Sequence, residues 1–240
     1  ARGRTTQTGV DELSDVLSII MQRRAPGTRR AATGFEWVRS RMPLIRSAAL
    51  DLELVALSPS SSEITLSHNE IASLVDDYLP RGRRLVAHRP NQVAVALYLR
   101  AGSRGVLLGS DLETTKDPRT GWTAALDVAR ELALPEVQWF KVPHHGSETA
   151  FCPQVLHELV TEHGILALTP FRASKLPADR DIERLKSVRD EVYCSADPKS
   201  RKLPDRGRAV EKMMRRNSVK RRALRVPMGH IRLRAPLVGS

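Results

Sequence analysis

The chain has 240 residues and a mass of 26.7 kDa, enough for one full domain or a large part of a two-layer one. Hydrophobic residues make up 41% and charged residues 28%, with 14 Gly and 15 Pro, which excludes a collagen-like or broadly disordered chain. The formal net charge of +12 argues for a polyanionic partner and against none of the common folds, while the longest apolar stretch, residues 93–99, is far too short to span a bilayer.

Taken in chain order, residues 10–21 place Val10, Leu13, Val16, Leu17 and Ile20 at helical spacing behind acidic Asp11, Glu12 and Asp15, which predicts an amphipathic helix. Residues 23–32 are a basic break containing Pro and Gly, and residues 35–49 read as irregular or helical, interrupted at Pro43. Residues 52–57 form a short apolar strand that runs into a Ser- and Pro-rich turn at 58–62. A helix is expected from Asn69, which caps it, to Leu79, with Pro80 closing it.

The pattern then changes. Residues 92–99 and 106–108 are apolar strands around a turn at 101–105, residues 122–132 a helix and residues 137–142 a strand. A helix over 153–163 opens on a proline; a strand over 165–168, a helix over 179–188 and a strand over 192–194 follow. This alternation predicts an α/β layer architecture. Residues 205–216 read as a basic helix and residues 230–233 as a closing strand.

Charge divides the chain into three parts. Residues 1–50, a basic helical or irregular segment, net +5; residues 51–199, the α/β region, net −4; residues 200–240, the basic C-terminal helix and strand, net +11. Arg215, Arg216, Lys220, Arg221 and Arg222 in the last part could neutralise phosphates, since such contacts need no fold-specific geometry. A solvated basic helix accounts for them equally well. The tail has no interleaved aromatic residues on which single-stranded bases would stack. Cys152 and Cys194 lack CxxC spacing, and no apolar segment follows the Arg- and Thr-containing start, so neither a disulfide framework nor a signal peptide is expected. A reducing, cytoplasmic setting follows as the default.

Two loops carry chemistry. Val106-Leu107-Leu108 runs into Gly109-Ser110-Asp111-Leu112-Glu113, which puts Asp111 just past the carboxyl end of a buried strand, where α/β sheets hold ligands. Taken alone, an aspartate in this position is more often a helix N-cap. The strand at 137–142 runs into Pro143-His144-His145-Gly146-Ser147, and adjacent imidazoles at a strand end make a compact set of donors or metal ligands. A surface pair is the alternative for the histidines. The two loops together favour a site.

The blocks "LLGSDLE" and "FKVPHHGS" resemble the second half of the metallo-β-lactamase superfamily, most nearly its ComEC-like, competence-protein branch. Asn91 with residues 93–99, Leu168-Thr169-Pro170, Pro177 and Val192-Tyr193 add to the likeness, which covers roughly residues 52–197. The sequence departs from that pattern in Ala94 and in Gly-Ser-Asp, where the family has a serine and Thr-Gly-Asp. The resemblance implies an αββα sandwich, of which this chain holds the later part. It implies two metal ions, zinc or manganese, with Asp111 bridging them and His145 as the last histidine ligand of the second. It also implies a catalytic role for His144, contacting a substrate phosphate or assisting the leaving group.

The superfamily's first motif, His-x-His-x-Asp-His, does not occur, and the first histidine is His68. Catalytic zinc takes three protein ligands, so the chain is expected to bind metal weakly and hydrolyse negligibly by itself. Either it is the later part of a longer hydrolase, which a first residue of Ala would fit, or it is a degenerate member without metal. The activity expected of the intact site is phosphodiester hydrolysis. A non-catalytic nucleic-acid-binding module and a hydrolase of a small ester are the alternatives.

Overall fold

A computed structural model describes residues 37–78, 89–171 and 174–196. The helices expected at 10–21 and 205–216, the strand at 230–233 and the basic cluster Arg215, Arg216, Lys220, Arg221 and Arg222 lie outside the described residues. From Val38 onward the described residues belong to one compact unit.

Seven strands form one mixed sheet whose spatial order equals the chain order: β1 (Pro43–Ser47), β2 (Leu52–Ala56), β3 (Leu97–Ala101), β4 (Arg104–Leu108), β5 (Val137–Lys141), β6 (Val160–Leu168) and β7 (Val192–Cys194). The pairs from β1 to β4 are antiparallel and those from β4 to β7 parallel. Four helices accompany it among the described residues: α1 (Ser61–Tyr78), α2 (Gly121–Glu131), α3 (Pro153–Glu158) and α4 (Asp179–Lys186). The α/β architecture expected from the alternation is present, as a single sheet among the described residues. No described helix is long and apolar enough to cross a membrane.

Residues 43–47 form a strand, where an irregular or helical segment was expected. Pro43 stands at the first position of an edge strand, where its missing N–H costs no ladder bond. Arg46 faces Glu53 across the β1–β2 pair and donates to it over 3.0 Å.

Helix α1 begins eight residues before Asn69. The Ser60 hydroxyl accepts from the Glu63 N–H (3.2 Å) while the Glu63 carboxylate accepts from the Ser60 N–H (2.6 Å), a reciprocal capping box. The serines read as a turn are the start of the helix. The other Glu63 oxygen accepts from the Gly121 N–H at 2.7 Å, so one carboxylate ties the starts of α1 and α2 together.

β3 and β4 close through a two-residue Gly102-Ser103 loop, Ala101 pairing with Arg104. The first part of the strand expected from residue 92 is a 3-10 turn, Pro90–Val93. β6 starts earlier than expected, at Val160, because residues 161–164 bulge out of the β5 ladder: Val137 pairs with Val160 and Trp139 with Ile165. Arg189 holds the bulge, donating to the carbonyls of Val160 (3.0 Å) and Leu156. The core gathers under α2, where buried Trp122 packs edge-on against Phe140 (5.8 Å, 90°) and donates its indole N–H to the Leu112 carbonyl at 3.0 Å.

Candidate functional site

Because β4, β5 and β6 are parallel neighbours, their carboxyl ends lie along one edge, and the loops that follow them meet there. The loops after β4 and β5 are laced through the backbone. Gly109 N–H donates to the Lys141 carbonyl (3.0 Å), and His144 N–H donates to the Ser110 carbonyl (2.9 Å). Gly109 permits that approach, since a Cβ there would stand 2.8 Å from Pro143 Cβ and 2.9 Å from the Lys141 oxygen.

The edge is also where backbone strain gathers. Ser110 (φ 49°), His144 (φ 41°), His145 (φ 56°) and Gly146 (φ 78°) all adopt left-handed conformations. Non-glycine residues in this region cost of order 1–3 kcal/mol each and persist only where the surroundings over-determine them.

The resulting turn aims the two imidazoles differently. His145 Nδ1 lies 2.8 Å from the Thr169 carbonyl oxygen, which can only accept, so Nδ1 carries the proton. Nε2 is thereby turned toward Asp111, whose Oδ1 is 3.9 Å away. Phe171 stacks on the same ring at a centroid distance of 5.1 Å and fixes its plane. His144 Nδ1 lies 2.6 Å from Glu113 Oε1, with Ser147 Oγ at 3.2 Å, and the Thr149 hydroxyl donates to the same Glu113 oxygen at 3.0 Å. On the far side of the ring, the Asn91 amide nitrogen sits 3.5 Å from Nε2. Lys141, at the end of β5, is pushed below the usual lysine range by burial, with the charge of Asp111 opposing that shift.

The structure thus brings together Asp111, His144 and His145, three residues singled out from sequence. His68, His157 and His163 lie elsewhere, on α1, α3 and β6. Glu113 and Thr169 stand in the sequence only as members of the blocks that carry the resemblance, with no role of their own. The signal for Glu113 was its place two residues after Asp111 on the same short loop. Thr169 contributes a backbone carbonyl, which its identity does not announce.

The arrangement suits a cation only in part. A His whose second nitrogen donates to a backbone carbonyl is oriented as metal-ligating histidines are. One ion can bridge the 3.9 Å gap, because Zn–N and Zn–O bonds are each about 2 Å long. A catalytic ion needs a third protein ligand, however, and among the described residues no group of three or more His, Cys, Asp or Glu side chains could hold a metal. The described residues therefore do not fit a complete one-ion site, still less a two-ion one. No protein-family model, curated protein or solved structure matches this chain.

Proposed function

We propose that the carboxyl edge of β4–β6 is one half of a metal-dependent hydrolase site of the metallo-β-lactamase type, acting on phosphodiesters, with its remaining ligands outside the described residues. The single seven-stranded sheet is then one layer of an αββα sandwich. The observation that carries this reading is the placement of the His145 ring, held at Nδ1 by the Thr169 carbonyl so that Nε2 faces the Asp111 carboxylate at 3.9 Å. Zinc or manganese in sites of this class generates hydroxide near neutral pH and stabilises charge on phosphoryl oxygens. The protein's own contribution is to hold Asp111 and His145 on strained loops and to orient His144 through Glu113. Cys152 and Cys194 are both free, in keeping with a cytoplasmic setting.

The test is calorimetric titration of zinc and manganese into the chain, with hydrolysis of a bis-aryl phosphodiester followed alongside. Weak binding that disappears in both Asp111→Ala and His145→Ala is expected, and any cleavage should disappear in Asp111→Ala. Metal binding indifferent to both substitutions, or cleavage that survives Asp111→Ala, refutes the assignment.

A second reading rests on the charge distribution, since residues 51–199 net −4 while residues 200–240 net +11. In it the protein is a nucleic-acid-binding module using Arg215, Arg216, Lys220, Arg221 and Arg222. Removing the tail then abolishes both nucleic-acid binding and its salt dependence, whereas the hydrolase reading leaves the site edge unaffected.

A further inference from the structure

A cavity of about 540 Å³ opens beside His144, between α1, the Pro90–Val93 turn and the loop that leads from β4 to α2. Its size falls in the roughly 300–1,000 Å³ range of small-ligand sites. It adjoins the candidate site directly, because Asn91 and Glu113 line it and both reach the His144 ring.

We infer that this cleft is a phosphate subsite, in which Arg89 and Lys116 hold the phosphate of a nucleotide while the base goes unread. The inference rests on the phosphodiester reading above and deepens it. The three carboxylates among the described lining residues are already engaged. Glu63 is buried and accepts backbone N–H groups from Ser60 and Gly121. Glu113 is taken by His144 and Thr149. Asp117 is clamped by Arg119, whose guanidinium donates to both of its oxygens over 3.0 and 2.8 Å.

Among the described residues Arg89 and Lys116 are the remaining charged side chains of the lining; both are exposed, and neither forms a salt bridge with another described residue. An anion entering the cleft therefore meets two cations that no described carboxylate pairs with. Among the described residues no aromatic ring lines the cavity, and none of them offers a platform on which to stack a base. Recognition through phosphate alone carries no sequence information.

The experiment uses the full chain and amide NMR, with adenosine 5′-monophosphate, thymidine 5′-monophosphate, inorganic phosphate and adenosine as probes. Both nucleotides should shift the amides of Arg89, Asn91, Gln92 and residues 113–117, with affinities within about twofold of each other, and inorganic phosphate should compete. Adenosine should leave these amides unmoved. Arg89→Ala and Lys116→Ala should each weaken binding about tenfold, the scale of one hydrogen bond to a charged group, and the charge reversal Lys116→Glu should abolish it.

Equal binding of adenosine, affinities unchanged in both alanine variants, or shifts confined to other residues overturn the proposal. Zinc titration of the same samples reports on Asp111 and His145 separately. Nucleotide binding lost in Lys116→Glu with zinc binding retained supports the cleft. Absence of nucleotide binding beside normal zinc binding overturns the cleft and spares the metal half-site. Nucleotide binding beside zinc binding that ignores Asp111→Ala supports the cleft and overturns the half-site.

Discussion

Glu113 holds His144 by its Nδ1 nitrogen, carboxylate oxygen to ring nitrogen at 2.6 Å, and is itself held by the Thr149 hydroxyl at 3.0 Å. An imidazole bonded this way has one tautomer and one ring orientation, with Nε2 turned toward Asn91 and the cleft. Replacing Glu113 with Ala removes that constraint. Long-range ¹⁵N–¹H NMR should then show His144 passing from the Nδ1–H tautomer to a mixture. Phosphodiester cleavage that depends on His144 should fall roughly 10- to 100-fold, the usual cost of losing an orienting partner. The double variant Glu113→Ala/His144→Ala should be no worse than His144→Ala alone; additive losses would mean that Glu113 acts independently of the ring.

Gly146 is the pivot of the histidine turn. Its φ of 78° suits glycine, and a Cβ would run into the Leu168 side chain. Gly146→Ala should cost about 1–3 kcal/mol from the backbone alone, seen as a lower urea midpoint with an unchanged slope. Gly102→Asn, in the two-residue hairpin loop (φ 57°), should be close to neutral, because Asn accepts that conformation in an open turn. Equal losses at both positions would show that the Leu168 contact is immaterial.

Glu63 joins two helix starts from a buried position, and burial raises its carboxyl above the ordinary value of 4.5. Truncating it to Ala leaves the N–H groups of Ser60 and Gly121 without acceptors, at about 2–4 kcal/mol for the pair. The sign of the pH dependence follows from the raised value. The native state keeps this proton to higher pH than the unfolded chain does, so the residue's stabilising contribution shrinks as pH rises from 4.5 through the folded value and is constant above it. Denaturation of wild type and Glu63→Ala should therefore converge as pH increases over that window. A gap that widens instead would contradict the raised carboxyl.

Asp117 has the opposite sense. Its bonds to Arg119 bring its carboxyl down from 3.8 to about 2. Its contribution is present above the unfolded value and lost as pH falls through about 2. Carboxyl ¹³C NMR should place its midpoint near 2, and Arg119→Ala should return it toward 3.8. A midpoint unmoved by that substitution would mean the clamp does not form in solution.

The alternation from β3 to β7 was legible in the sequence because each of these strands holds a short apolar run and each helix after β4 carries an apolar face. β1 was not, since Pro43 reads as a breaker until its place at a sheet edge is known. The first turns of α1 were hidden in Ser60-Ser61-Ser62-Glu63, whose capping box is a sequence signal that the serine-rich turn obscured. The start of β6 depends on Arg189, almost 30 residues on, which no local window contains. At the candidate site, Asp111, His144 and His145 stood out because they follow buried strands directly. Their partners did not: the Glu113–His144 bond joins two loops 31 residues apart, and the His145–Thr169 bond uses a backbone carbonyl at the end of the next strand, β6.

The strand order has a consequence for how the molecule is made. Every strand pairs with the one synthesised just before it, so the sheet can grow one strand at a time as the chain leaves the ribosome. The antiparallel half, β1 to β4, is complete before any residue of the histidine turn has been translated. Asp111 emerges next, with its carboxylate waiting on an open edge, and only the arrival of β5 and then β6 supplies the imidazole and the carbonyl that orients it. The candidate site is thus complete in the chain only once β6 and Thr169 have been synthesised.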